Sequence, residues 1–189
     1  MAAISGERPV KLLGAVIAGG GSRRFGSDKA IATLGKLRLI DHVIAAVRDQ
    51  CAAVVVCGRP WPGQETLADL PAAELGPLGG LCAALAFAAR EGYDMVLSVP
   101  CDVPDLPADL ALRLADAGAP SYLRDLPVAG LWPSALAAKL DGHLRTTSDR
   151  AMWQWAALIG ANAVTIEAPL ANINTTDDLA RRLRDGANG

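Results

Sequence analysis

Apolar residues follow two rhythms along this chain. Largely apolar runs at 10–17, 52–57 and 94–99 read as buried strands. Elsewhere the apolar positions recur every three or four residues, the spacing of a helix with one inward face. The spacing predicts a helix over 39–50, with Ile40, Val43, Ile44 and Val47 inward, and another over 80–90, with Leu81, Ala84, Leu85 and Ala88 inward and Gly92 just past its end. Pro107 is placed to open a third helix above Leu110 and Leu114. A short strand at 128–132, helices at 134–144 and 149–159 and a last strand at 163–166 follow, the second of these helices carrying Met152, Trp155 and Ile159 on one side. Thr175 and Asp178 form a capping-box pattern for a final helix over Leu179 and Leu183, and residues 186–189 read as a disordered tail.

Strand, helix and strand in succession make a βαβ unit, so the first two strands are expected to be parallel, with a right-handed crossover. The chain is then α/β, a mostly parallel sheet with helices on both faces. Its 189 residues suit a single domain over 1–189. Composition supports this: residues are 51% hydrophobic and only 4% aromatic, so the core is built mainly from Ala, Val, Leu and Ile.

A net charge of −2 leaves no broad basic surface for a nucleic acid, and any grip on phosphate has to be local. Cys51, Cys57, Cys82 and Cys101 form no CxxC pair and lie in apolar segments, which fits reduced, mostly buried thiols rather than a disulfide framework or zinc site. The apolar run ending at Ala18 is too short for a signal peptide core, and Arg23 and Arg24 follow it, where a twin-arginine signal would precede. No run approaches the roughly 20 apolar residues of a membrane span. The expectation is a cytoplasmic, unanchored protein.

Directly after the first strand comes Ala18-Gly19-Gly20-Gly21-Ser22-Arg23-Arg24-Phe25-Gly26-Ser27-Asp28-Lys29. Successive glycines let backbone amides approach an anion closely, and three nearby cations favour phosphate over a turn kept for packing alone. The spacing GxxxxGK[ST] fails, because Ser27 and Asp28 follow Gly26. The dinucleotide spacing GxGxxG fails at Arg24, and no acidic residue ends the second strand at Cys57. What remains is a transferase-type loop. Its amides and Arg23 would hold the β- and γ-phosphates, and Lys29 the α-phosphate under attack. Asp28 either orients this loop or is a solvated carboxylate.

Asp102 stands just past the third buried run and a proline, a place from which one carboxylate and substrate phosphates can share a hard divalent cation. It is the best candidate ligand for Mg²⁺; a turn cap is the other reading, and Asp105 suits that role better. His42 and His143 lie alone on helices and receive no role, and Trp132, Trp153 and Trp155 read as core or rim packing.

The series IAGGGSRRFGSDKA, GPLGG, PCDVPDLPADL and ANINTTDDL, in that order, resembles the molybdenum cofactor guanylyltransferase family over nearly the whole chain. The resemblance implies a Rossmann-like three-layer sandwich and transfer of GMP from GTP to the phosphate of molybdenum-loaded molybdopterin. It implies backbone contacts to GTP from Ile17, Ala18, Gly19 and Gly20, phosphate contacts from Lys29, a guanine contact from Asp69, and a nucleotide and Mg²⁺ contact from Asp102. Asn172 and Asn174 would face the pterin. An aspartate suits guanine, whose N1–H and N2–H₂ are adjacent donors, although an ordinary loop aspartate fits the sequence at position 69 as well.

The chain departs from the family pattern at three places. Cys57 stands where Asn is common, so that polar contact to the nucleotide is either absent or made by backbone. Leu126-Pro127 replaces a His-Pro pair, and Lys36-Leu37-Arg38-Leu39 replaces Gly-Lys/Arg-Pro-Leu. Transient contact with molybdenum insertion proteins and molybdoenzymes also follows from the resemblance. The competing readings are the sister reaction with CTP, a sugar-phosphate nucleotidyltransferase, and a non-catalytic GTP-binding protein that delivers the cofactor.

Overall fold

The computed structural model describes residues 8–19, 33–35, 37–167 and 170. Its spine is β1 (Leu12–Ile17), five of whose six residues are buried. This strand pairs in parallel with β4 (Ala53–Cys57) along one edge and with β6 (Met95–Pro100) along the other. Two short strands between them, β2 (Thr33–Leu34) and β3 (Leu37–Arg38), form a separate antiparallel hairpin. The main sheet has seven strands in the order β5-β4-β1-β6-β8-β7-β9, where β5 is Glu65–Leu67, β7 Ser121–Leu123, β8 Leu126–Pro133 and β9 Asn162–Val164. Four of the neighbouring pairs are parallel; β8 runs antiparallel to both β6 and β7.

Side chains alternate between the two faces of a strand, and the core accordingly divides in two. Leu13, Ala15 and Ile17 of β1 belong to one layer, with Leu81, Ala84, Leu85 and Ala88 of α2 (Pro77–Glu91), Leu140 of α4 (Ala137–Thr146) and Trp155 of α5 (Met152–Leu158). Val16, Val56, Leu97 and Val99 face the opposite layer. There Ile40, Val43, Ile44 and Val47 of α1 (Leu39–Arg48) meet Leu110 and Leu114 of α3 (Leu110–Asp116). The result is the expected three-layer α/β arrangement, and the inward residues named for α1 and α2 are all buried.

Local details differ from the sequence pattern at the ends of elements. Helix α2 begins at Pro77 rather than at 80, since Pro77 occupies its first turn and Gly76 its N-cap; Gly92 closes it in a left-handed conformation, as expected. Helix α3 begins at Leu110, three residues beyond Pro107. The amide of Leu110 bonds to the Pro107 carbonyl in the turn that leads into the helix, so the proline shapes that turn instead of starting the helix. Its N-cap position is held by Asp109, whose carboxylate pairs with Arg113 at 2.7 Å. Residues 134–136 form a separate 3-10 turn ahead of α4, and α5 starts at Met152, after Asp149 has accepted the amide of Ala151. Four short strands, β2, β3, β5 and β7, are too brief to show in the apolar pattern. The final helix over Leu179 and Leu183 and the tail at 186–189 lie outside the described residues.

Trp132 and Trp155 are fully buried, whereas Trp153 is 57% exposed. Cys57 and Cys82 are buried and Cys51 and Cys101 half-buried, and none of the four is in a disulfide. Burial pushes the Cys51 and Cys57 thiols up to about 12 and Cys82 to about 11, so these three stay protonated near neutral pH. Among the described residues no helix is long and apolar enough to cross a membrane.

Where the parallel and antiparallel halves of the sheet meet, one hydroxyl carries three contacts. Ser98 on β6 donates to the Val128 carbonyl at 2.6 Å, approaches the Gly130 carbonyl at 3.5 Å, and accepts the indole N–H of Trp132 at 2.8 Å. Replacing it would leave the buried Trp132 donor unpaired. The Ser98→Ala variant is expected to lose about 1–3 kcal/mol of stability with an unchanged denaturant slope, read from urea unfolding curves.

Candidate active site

Strands β4, β1 and β6 end side by side, with Ile17 abreast of Cys57 on one side and Pro100 on the other. Order along the sheet reverses at β1, since the chain steps from β1 to β4 and β5 on one side and returns to β6 on the other. Open α/β sheets bind ligands in the crevice beyond such a reversal, where the two loops leave in opposite directions. Past the ends of the strands the backbone stays tied. The Ala18 amide donates to the Cys57 carbonyl at 2.9 Å and the Cys101 amide to the Ile17 carbonyl at 3.2 Å. Gly19 and Asp102 thus emerge from neighbouring strands at the same edge of the sheet, and both are half-buried.

On the β4 side the wall of the crevice is made by glycines. Gly58 follows β4 with φ of +88°, in the left-handed region that side chains avoid. A Cβ there would stand 2.3 Å from the Gly19 Cα and 2.5 Å from its nitrogen, so two loop backbones touch with no room between them. The Gly58 amide donates to the Leu67 carbonyl of β5 at 2.8 Å. Two residues beyond β5, Asp69 turns back over this contact. Its carboxylate oxygens lie 3.3 and 3.5 Å from the place a Cβ on Gly19 would occupy, and Oδ1 lies 3.2 Å from the equivalent place on Gly58. From the far side comes the first turn of α2, where a Cβ on Gly79 would meet Asp69 Cβ at 3.0 Å and Cγ at 3.1 Å. The Leu70 amide bonds to the Gly79 carbonyl at 3.2 Å and holds the segment there.

Two loop glycines and one from the first turn of α2 therefore surround one carboxylate. Asp69 Oδ1 is buried without a hydrogen-bond partner among the described residues. Burial raises the pKa of Asp69 above its ordinary value, because water that would solvate the charge is displaced. An unpaired buried acceptor is costly and uncommon.

Of the residues singled out in the sequence, Ile17, Ala18, Gly19, Cys57, Asp69 and Asp102 gather at the carboxyl end of β4, β1 and β6. Cys57 is fully buried beneath the glycine wall and turns its carbonyl, not its thiol, to the loop, which makes backbone the polar group at this position. Gly20, Arg23, Asp28, Lys29, Asn172 and Asn174 lie outside the described residues. Gly58 and Gly79 were missed as partners of Asp69. The only trace of them in the sequence is a glycine directly after a strand and the pair in GPLGG. His42 lies on α1, where its Nε2 sits 3.0 Å from the Leu34 carbonyl, and His143 packs against Trp155; neither reaches the crevice.

A family model described as a MobA-like NTP transferase domain matches residues 14–160. The chain is 37% identical to a molybdenum cofactor guanylyltransferase of Acidiphilium cryptum, covering 87% of this chain and 90% of that one. It is 35% identical to one of Rhodobacter capsulatus, covering 94% and 100%. The molybdopterin-guanine dinucleotide biosynthesis protein A of Archaeoglobus fulgidus superposes with a TM-score of 0.70 at 20% identity over 94% of this chain and all of that one. A 2-C-methyl-D-erythritol 4-phosphate cytidylyltransferase of Thermus thermophilus superposes with a TM-score of 0.68 at 17% identity over 94% and 98%. These two likenesses show the fold. The model match and the near full-length relatives show the lineage: this chain belongs to the MobA-like NTP transferases, in the family of molybdenum cofactor guanylyltransferases.

Proposed function

We propose that this chain transfers GMP from GTP to the terminal phosphate of molybdenum-loaded molybdopterin. An oxygen of the pterin phosphate attacks the α-phosphorus of GTP and forms a new P–O–P bridge. The α–β phosphoanhydride bond breaks, and pyrophosphate leaves with the bonding electron pair. The products are the guanine dinucleotide cofactor and pyrophosphate.

The observation that carries the choice of base is the unpaired, buried Oδ1 of Asp69 beside Gly19. Guanine offers N1–H and N2–H₂ side by side, which a carboxylate accepts as a pair; adenine and cytosine each offer a single exocyclic amino group flanked by a ring acceptor. Ile17, Ala18 and Gly19 supply backbone to the nucleotide, and Gly20, Arg23 and Lys29 supply the amides and cations for the triphosphate. Asn172 and Asn174 face the pterin. Held in this way, the acceptor oxygen and the α-phosphorus meet in line, and proximity supplies a large part of the rate.

Asp102 suits a Mg²⁺ site of the kind shared with substrate. It contributes one carboxylate at the mouth of the crevice, and no group of three or more His, Cys, Asp or Glu forms a ready cage among the described residues. When bound, Mg²⁺ would offset charge on the phosphate oxygens and the departing pyrophosphate. A single domain working in the cytoplasm, with transient contacts to the proteins that load molybdenum and to the molybdoenzymes that receive the cofactor, completes the proposal.

The decisive assay mixes the purified protein with molybdenum-loaded molybdopterin, Mg²⁺ and either GTP or CTP, and follows pyrophosphate and dinucleotide. Product with GTP and little with CTP is expected; absence of product with GTP refutes the proposal.

Asp69→Asn places an amide N–H₂ against the guanine donors and is expected to raise KM for GTP more than about tenfold, because a charged acceptor pair is replaced by a partial clash. The sign of its effect on stability is opposite. A carboxyl whose folded pKa is raised binds its proton more tightly in the folded state, so stability is greatest at low pH and falls as pH rises through the folded pKa. Asp69→Asn removes that loss and is expected to melt slightly higher than the wild type at neutral pH. In the wild type, KM for GTP should rise as pH falls through the elevated Asp69 pKa, a dependence that Asp69→Asn lacks.

Asp102→Ala is expected to abolish turnover at any Mg²⁺ concentration. Near-normal Mg²⁺-dependent rates in that variant would remove Asp102 from the metal site.

A further inference from the structure

Trp61 belongs to none of the sequence motifs and to none of the positions carried over from the family. It lies in a surface loop, residues 58–64, yet is only 8% exposed. That loop joins β4 to β5, and so it connects the two parts of the nucleotide wall: Gly58 seated on Gly19 at its start, and Asp69 shortly past its end. The Trp61 indole N–H donates to Asp41 Oδ1 at 2.9 Å, and Asp41 sits in the first turn of α1. The guanidinium groups of Arg38 and Arg59 stand 5.2 and 5.9 Å from the centre of the indole ring, within the range of a cation–π attraction.

The loop is built to pass a constraint along its length. Pro60 and Pro62 flank Trp61, and each fixes its own φ near −65°, so the segment around the indole is stiff. Gly58 and Gly63, at φ of +88° and +75°, are the permissive joints at its two ends. Left to itself, a left-handed glycine spreads over many conformations. Gly58 needs one, since its Cα has to rest against Gly19 beneath the Asp69 carboxylate. Its place in the buried cluster that includes Val16 and Val43 accounts for an apolar ring at position 61, but not for a ring whose N–H meets a carboxylate on a different element.

We infer that Trp61, held by Asp41, is a positioning residue for the nucleotide: it latches the 58–64 loop to α1 and keeps Gly58 seated on Gly19 under Asp69. This rests on the reading of Gly19 and Asp69 as the guanine-nucleotide wall. The latch acts on the β4 side of the crevice, while Asp102 follows β6 on the other side of β1. Its loss should therefore weaken GTP binding and leave the chemical step alone.

The test compares wild type with Trp61→Phe, Asp41→Ala and Asp41→Asn. GTP affinity is measured by calorimetric titration without acceptor, and kcat and both KM values from steady-state transfer. Trp61→Phe keeps the apolar ring and removes only the donor, which guards against a variant that fails to fold. Trp61→Phe and Asp41→Ala are each expected to bind GTP about fivefold more weakly, with a matching rise in KM for GTP and unchanged kcat and KM for the pterin. Asp41→Asn still presents an acceptor oxygen and should recover most of the affinity. A lowered melting temperature with unchanged GTP affinity would mean that Trp61 only fills the core, and would overturn the inference. Equal losses in kcat and both KM values would overturn it too. Because the titration needs no turnover, it decides the latch even if the wild type binds GTP without forming dinucleotide, an outcome that would sink only the proposed reaction.

Discussion

The molecule depends on one strand held in place from four directions. β1 is hydrogen-bonded to parallel neighbours along both edges and covered by a helical layer on each face. Its side chains alternate between two separate cores, so a slip of one residue would send Leu13, Ala15 and Ile17 into the layer that Val16 fills and would break both ladders at once. No intermediate register satisfies either core. The same constraint brings Ile17, Cys57 and Pro100 to one level, and everything the crevice contains is delivered by loops that start there.

What those loops build runs against local stability. A carboxylate is desolvated under three glycines, one of its oxygens is left without a partner among the described residues, and Gly58 occupies a backbone region that costs a side-chain-bearing residue dearly. The unpaired oxygen costs the folded protein stability, whereas the left-handed conformation costs glycine little and only bars a side chain from position 58. A well-packed sheet tolerates such an orphaned polar group because its own register is not at stake. The Trp61 latch fits the same logic. It is a fixed point outside the crevice that keeps a permissive glycine in the single conformation the wall requires.

The helices α1 and α2 and the parallel pairing of β1 with β4 could be read from spacing because each is set by a local period of 3.6 or by a continuous apolar run. Starts of elements were less readable. Pro107 looks like the first residue of a helix, but the turn from Pro107 to Leu110 closes first, since Val103 and Leu106 ahead of it are drawn into the core. Strands β5 and β7 have three residues each and form because a distant neighbouring edge is present to pair with, a condition no short sequence window contains, while β2 and β3, of two residues each, pair with one another and leave no apolar period to read. The antiparallel β8 could be seen as a strand, but its direction is decided by where the chain re-enters the sheet.

By itself the sequence determined the α/β class, the glycine loop after the first strand, the aspartate after the third buried run, and membership of a nucleotidyltransferase lineage. These follow from residue types at short, fixed spacings, and such spacings survive in one dimension. Only the tertiary structure decided that Asp69 meets Gly19, Gly58 and Gly79, and that Trp61 answers to Asp41. Positions 19, 58, 69 and 79 come together because three loops leave one sheet edge at the same level, and the lengths between them carry no period that would announce it. The structure also turned Asp69 from a loop aspartate into a desolvated acceptor, because burial is a property of neighbours and not of the residue.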